Sequence, residues 1–214
     1  MRAKTHGANR SLPVGRGRKL LLSLGAVGAA ASIAALGTFA NFTSTTQATQ
    51  TVTTGTVAIA LGATGASTNR LTVSAAGLVP GDTIQRSVDL IDTGSQGLSS
   101  ITLTTSASPS SLLDTDSVNG LQMTINRCSV AWTESGTSPA FTYSCAGTTS
   151  AVLVVRPIIG SALALSNLSA LSAGLTDHLV VTISFPTSAG NTFQGITSTI
   201  SYAFSGLQRA VTNQ

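Results

Sequence analysis

Apolar residues recur at every second position through most of this chain. Val57, Ile59 and Leu61 alternate with small residues, and Ile84, Val88 and Leu90 share a face, with Arg86 as its odd member, opposite Thr83, Gln85, Ser87 and Asp89. The same period returns at Ile101 and Leu103, at Leu121, Met123 and Ile125, at Val130 and Trp132, and at Phe141 and Tyr143. It returns again over Leu179 to Phe185 and in a final run through Ile196, Ile200, Tyr202 and Phe204. A period of two puts alternate side chains on opposite sides of a pleated strand, so each run predicts a strand with one buried face. Ala151 to Val155 is apolar throughout and predicts a core strand, while Leu71 and Val73 predict a short one.

Turn formers divide these runs. Val79-Pro80-Gly81-Asp82 predicts a tight turn, Asp92-Thr93-Gly94-Ser95 ends a strand, and Asp82 to Thr105 reads as two antiparallel strands around a Gly-rich connection. Phe141 and Tyr143 return after a tip at Glu134 to Pro139, which predicts a hairpin. Two segments depart from the pattern. Pro109, Ser110 and Ser111 predict a short helical turn, and Leu165, Leu168, Leu171 and Leu175 recur at helical spacing, predicting a helical connection within residues 158–175. Eight or so short strands with at most one or two short helices predict an all-β protein, an antiparallel β-sandwich. Pattern alone leaves jelly-roll and immunoglobulin-like strand orders open, and no fixed-period repeat points to a solenoid or propeller.

Charge changes the picture at the N-terminus. Six of the eleven basic residues, Arg2, Lys4, Arg10, Arg16, Arg18 and Lys19, precede the uncharged seventeen-residue run from Leu20 to Leu36. This is the pattern of an export signal over residues 1–40, with cleavage expected between Ala40 and Asn41 after Thr38-Phe39-Ala40. Retention of Leu20 to Leu36 as a membrane anchor is the alternative, since the run is only slightly short of the roughly twenty residues that span a bilayer. Beyond the signal the chain has five Arg, no Lys and seven acidic residues, a formal charge of −2, so its basic balance is a property of the targeting segment. No nucleic-acid partner is expected.

The remaining residues divide into an extended Thr-rich arm over 41–54, one β-sandwich domain over 55–209 and a short tail over 210–214. Sparse charge and abundant Ser and Thr leave little to prevent strands from pairing edge to edge. Cys128 and Cys145 are the whole thiol inventory and are expected to be bonded to each other in an exported protein. Such a link stabilises by about 3 kcal/mol in the chain-entropy treatment.

The order of these signals resembles the TasA/camelysin family of exported Gram-positive proteins. The resemblance is carried by Gly37-Thr38-Phe39-Ala40, Asn41-Phe42-Thr43-Ser44, Thr54-Gly55-Thr56-Val57, Leu78-Val79-Pro80-Gly81-Asp82, Asp92-Thr93-Gly94-Ser95 and Asn191-Thr192-Phe193-Gln194-Gly195, in order along nearly the whole chain. It implies a jelly-roll subunit of an extracellular biofilm fibre or a spore-coat-associated layer, released by a dedicated signal peptidase. It also implies an arm, including Asn41, Phe42, Thr43 and Val52, that adds as a strand to the sheet of the next copy. The absence of Lys beyond the signal and the cysteine pair depart from the fibre-forming relatives and are closer to actinobacterial-looking members.

The camelysin name carries a metallopeptidase label, which the residues do not match. A zinc hydrolase needs about three protein ligands, usually including His, with an open position and a general base. Beyond residue 40 there is one histidine, His178, and one glutamate, Glu134. Asp177-His178 reads as a turn and edge pair, Asp114-Thr115-Asp116 as a solvated turn without calcium-loop spacing, and Gly94-Ser95-Gln96-Gly97 as a loop without a serine elbow. Trp132, Phe141 and Tyr143 read as packing around the disulfide, with a carbohydrate surface as the alternative. The expectation is therefore a non-enzymatic protein without metal or cofactor, secreted to the matrix or cell surface and self-associating through its arm. The alternative is a membrane-anchored monomeric binding module, and a metallopeptidase ranks third.

Overall fold

Strands β3 (Thr83–Asp92) and β4 (Leu98–Ala107) form from adjacent runs of the same alternating pattern, yet they do not pair. The computed structural model, which describes residues 43–45, 56–72, 74 and 77–210, assigns them to opposite sheets. The hairpin expected over Asp82 to Thr105 is thus corrected to a crossing from one layer of a sandwich to the other. Short-range pattern fixes which face of each strand is apolar, and partner choice depends on the other strands competing for each edge.

One sheet has the order β1-β11-β4-β9, with β1 at Thr43–Thr45, β9 at Gly160–Ala164 and β11 at Ile200–Gln208. The second has the order β2-β3-β10-β5-β8, with β2 at Ile59–Leu61, β5 at Gln122–Cys128, β8 at Thr149–Pro157 and β10 at Thr176–Ser184. A third ladder is the hairpin β6 (Thr133–Thr137) and β7 (Ala140–Ser144). Every pairing is antiparallel. The fold is the antiparallel β-sandwich that the pattern predicts, and the described residues belong to one compact unit, Phe42–Gln214.

The core lies between the two sheets. Val88 and Leu90 from β3, Leu179 and Val181 from β10, and Met123 and Ile125 from β5 meet Ile101 and Leu103 from β4 and Phe204 from β11. Each lies on the inward face of its strand, and fully burying one such side chain stabilises by about 1.5–3 kcal/mol.

Several local expectations are corrected. Leu165 and Leu168 fill the core from an irregular segment after β9, so no helix forms between residues 158 and 175, and Leu175 is exposed. Apolar spacing at three and four residues arose here from a loop folded over the core. Ala151 to Val155 lies in an edge strand, β8, where irregular register against β5 leaves Val154 and Val155 72% and 65% exposed. Leu71 sits in a turn, Glu134 lies within β6 rather than at the hairpin tip, and the last strand begins at Ile200, after a 3-10 turn at Asn191–Phe193. The helical turn expected after Ser111 is present as Leu112–Thr115. Ser111 caps it reciprocally with Asp114, so Asp114 is buried rather than solvated.

Candidate functional site

The edge of the four-stranded sheet carries the candidate assembly site. Strand β11 pairs along its whole length with β4, from Ile200↔Ala107 to Gln208↔Leu98. Its other side receives β1, with Thr43↔Leu207, Ser44↔Gly206 and Thr45↔Ser205. Of the expected arm residues, Thr43 is therefore in a strand. Asn41, Phe42 and Val52, like the expected signal and its Ala40–Asn41 junction, lie outside the described residues.

Residues 56–58 resume the chain after the arm and are clamped by the Asp92-Thr93-Gly94-Ser95 loop. Thr93 N–H donates to the Ala58 carbonyl at 2.9 Å and Ser95 N–H to the Thr56 carbonyl at 2.9 Å. Gly94 is required at this approach, since a Cβ there would stand 2.3 Å from the Thr56 carbonyl oxygen. Val57 and Ile59 are buried, which fixes this segment to the core. Asp92 supports the loop from inside by accepting the Gly94 N–H at 2.8 Å on Oδ1, while its buried Oδ2 has no hydrogen-bond partner among the described residues. Burial pushes the Asp92 carboxyl above its usual range, against the opposing effect of the Gly94 N–H.

A second cluster lies on the outer face of the five-stranded sheet, beneath the β6–β7 hairpin. Arg70 grips Glu134 through Nη2–Oε1 at 2.6 Å and Nε–Oε2 at 2.9 Å, and its guanidinium lies 4.5 Å from the Phe141 ring centre. The Tyr143 hydroxyl donates to Glu134 at 2.8 Å, and the Tyr143 backbone N–H donates to Gln85 at 3.2 Å. The Arg70 hydrogen bonds, helped by Tyr143, hold the Glu134 carboxyl below its usual range. Trp132 Nε1 donates to the His178 carbonyl at 2.9 Å, and a disulfide joins Cys128, at the end of β5, to Cys145, just beyond β7, with their Cα atoms 5.7 Å apart. The link ties the foot of the hairpin to the sheet rather than bridging the hairpin's own strands. Phe141 and Tyr143 are thereby engaged inside the protein.

Asp177 and His178 are not the turn and edge pair that their composition predicts. Both lie in β10, between β3 and β5. Asp177 shares the inward face with Leu179, is fully buried, and accepts the Ser169 and Ala170 N–H groups at 2.9 and 2.7 Å. Arg127 Nε lies 2.7 Å from the same carboxylate, an ion pair in which the N–H is not aimed at the oxygen. His178 faces outward, with Nδ1 2.8 Å from Asp89 Oδ1. Inward placement of Asp92 and Asp177 was readable from their phase in the period-two pattern, since each continues the apolar register of its strand.

The donor set does not fit a catalytic metal. Among the described residues no three His, Cys, Asp or Glu side chains come together in a way that would hold an ion. His178 is paired with Asp89, Glu134 is held by Arg70 and Tyr143, and Asp177 is occupied by backbone N–H groups.

Fold and sites define an all-β sandwich whose first strand completes the edge beside its last. The chain belongs to the camelysin family: the family model described as camelysin metallo-endopeptidase matches residues 18–213. No curated protein matches the chain.

Proposed function

We propose that this camelysin-family chain is an exported, non-enzymatic structural protein of the cell surface or extracellular matrix. Its mature arm, Asn41 to about Thr54, assembles copies by adding to the β11 edge of a neighbour. The observation that carries this reading is the pairing of Thr43–Thr45 with Ser205–Leu207 at the edge of the four-stranded sheet. Those main-chain bonds are indifferent to which copy supplies the strand, and exchanging them between copies makes a head-to-tail contact that propagates when it does not close. The clamp at residues 56–58 supports the same reading, because it provides a fixed root from which an arm can reach outward. The metal-poor donor set supports a structural rather than a peptidase role. Signal peptidase is the expected partner during export, and a second copy of this chain is the partner afterwards.

The test compares the form beginning at Asn41 with one beginning at Val57 by sedimentation and electron microscopy. Filaments from the longer form alone are the expected result. Monomers from both forms under all conditions would remove the assembly reading in favour of a surface-binding module.

A further inference from the structure

One cross-strand row on the outer face of the five-stranded sheet joins three groups that assembly does not use. His178 on β10 is the register partner of Asp89 on β3 and of Cys128 on β5. Directly opposed residues in antiparallel strands project from the same face, with Cβ atoms about 4.5–5.5 Å apart. Carboxylate, imidazole and sulfur therefore stand in sequence across three strands. His178 turns Nδ1 to Asp89 at 2.8 Å, so Nε2, on the other side of the ring, faces away from β3.

The two sulfurs of the disulfide are not equivalent. Cys128 is 1% exposed and lies in the row with His178, whereas Cys145 is half-buried, between exposed Ser144 and Ala146. An incoming nucleophile reaches Cys145 from solvent, while the group that must leave is the sulfur beside the imidazole.

We propose that Cys128–Cys145 is a thiol–disulfide exchange site, attacked at Cys145 by a low-molecular-weight thiol, with the Asp89–His178 pair receiving the displaced Cys128 thiolate. In this step the thiolate of the small thiol forms a bond to Cys145 Sγ, the Sγ–Sγ bond breaks, and its electron pair leaves on Cys128 Sγ. When the imidazole carries both protons, Nε2–H donates to that sulfur while the Asp89 carboxylate accepts from Nδ1–H and orients the ring. The product is a mixed disulfide on Cys145. Attack by Cys128 on Cys145 Sγ expels the small thiol and restores the starting bond, so no outside oxidant is needed for the return. A leaving thiol of lower pKa departs faster, and an adjacent cation is what lowers it.

The experiment treats the folded, oxidised protein with 2-mercaptoethanol, quenches with acid, alkylates the free thiol, and locates both labels by peptide mass. The adduct is expected on Cys145 with the alkyl group on Cys128, and His178→Ala should slow the first step on the order of tenfold, because the displaced thiolate loses its neighbouring donor. Mere loosening of the sheet by that substitution would expose the disulfide and speed the reaction, so the direction of change separates the two roles. Asp89→Asn should slow it in the same direction. An adduct on Cys128, an even split between the sulfurs, or unchanged or faster exchange in His178→Ala would overturn the proposal; the position of the adduct is read on the parent protein and depends on no variant.

Discussion

Asp92 continues the inward phase of Val88 and Leu90, and as an ionised group it faces the same apolar surroundings they do. Because burial raises its pKa when folded, the unfolded chain ionises first as pH rises, and stability is lost until the folded value is passed. Asp92→Asn keeps an oxygen for the Gly94 N–H and removes the buried charge. The variant is expected to gain thermal stability over the parent at pH 7 and to show a smaller difference at pH 4, read by calorimetry at both pH values. An equal effect at both would assign the change to packing instead of ionisation. What the carboxylate contributes in return is the geometry of the loop that grips residues 56–58.

Among the elements, β11 carries a steric constraint where it faces the core. Gly206 faces inward, and a Cβ there would stand 2.4 Å from Ile59 Cδ1 and 3.0 Å from Leu98 Cδ1. It is also the register partner of Ser44. Gly206→Val should cost about 1–3 kcal/mol by overpacking, measured by urea unfolding, and should weaken any assembly that uses this edge. The pattern of alternation made most strands legible, including the inward faces of β3, β5 and β10. It did not reveal that β3 and β4 separate, because pairing is decided by strands distant in sequence. Nor did it distinguish loop leucines 165 and 168 from a helical face, since folding a loop over a core produces the same spacing. The clamp was visible only as a turn motif; that Gly94 admits the Thr56 carbonyl is a tertiary fact. The His178–Cys128 row was hidden for the same reason, because fifty residues separate its members in sequence.

For the whole molecule these groups oppose one another across the pH scale. Burial alone would raise the Asp114 carboxyl, but hydrogen bonds from Ser110 and Ser198 and from the Ser111 N–H outweigh it and hold the group below its usual value. Glu134 is held low by Arg70. For both, the folded value lies below the unfolded one, so their contributions are complete above the usual carboxylate range, about pH 4, and are lost as pH falls through the folded values. Asp92 acts in the opposite sense on the other side. Melting temperature is thus expected to peak in the mildly acidic range, with Asp114→Asn flattening the acid limb and leaving the neutral limb in place. A profile rising steadily to pH 8 would refute this balance.

The register of β1 on β11 is antiparallel, so Thr43 lies beside Leu207 and the start of β1 shares one corner of the sandwich with the last strand's end. Under the proposed assembly, anything inserted after Arg209 is delivered to the place where an arriving strand would begin to pair. A fluorescent protein or affinity handle inserted there would then cap such growth, whereas the exposed Ser138-Pro139 tip of the hairpin, over the other sheet, offers a position for a reporter that leaves the corner open.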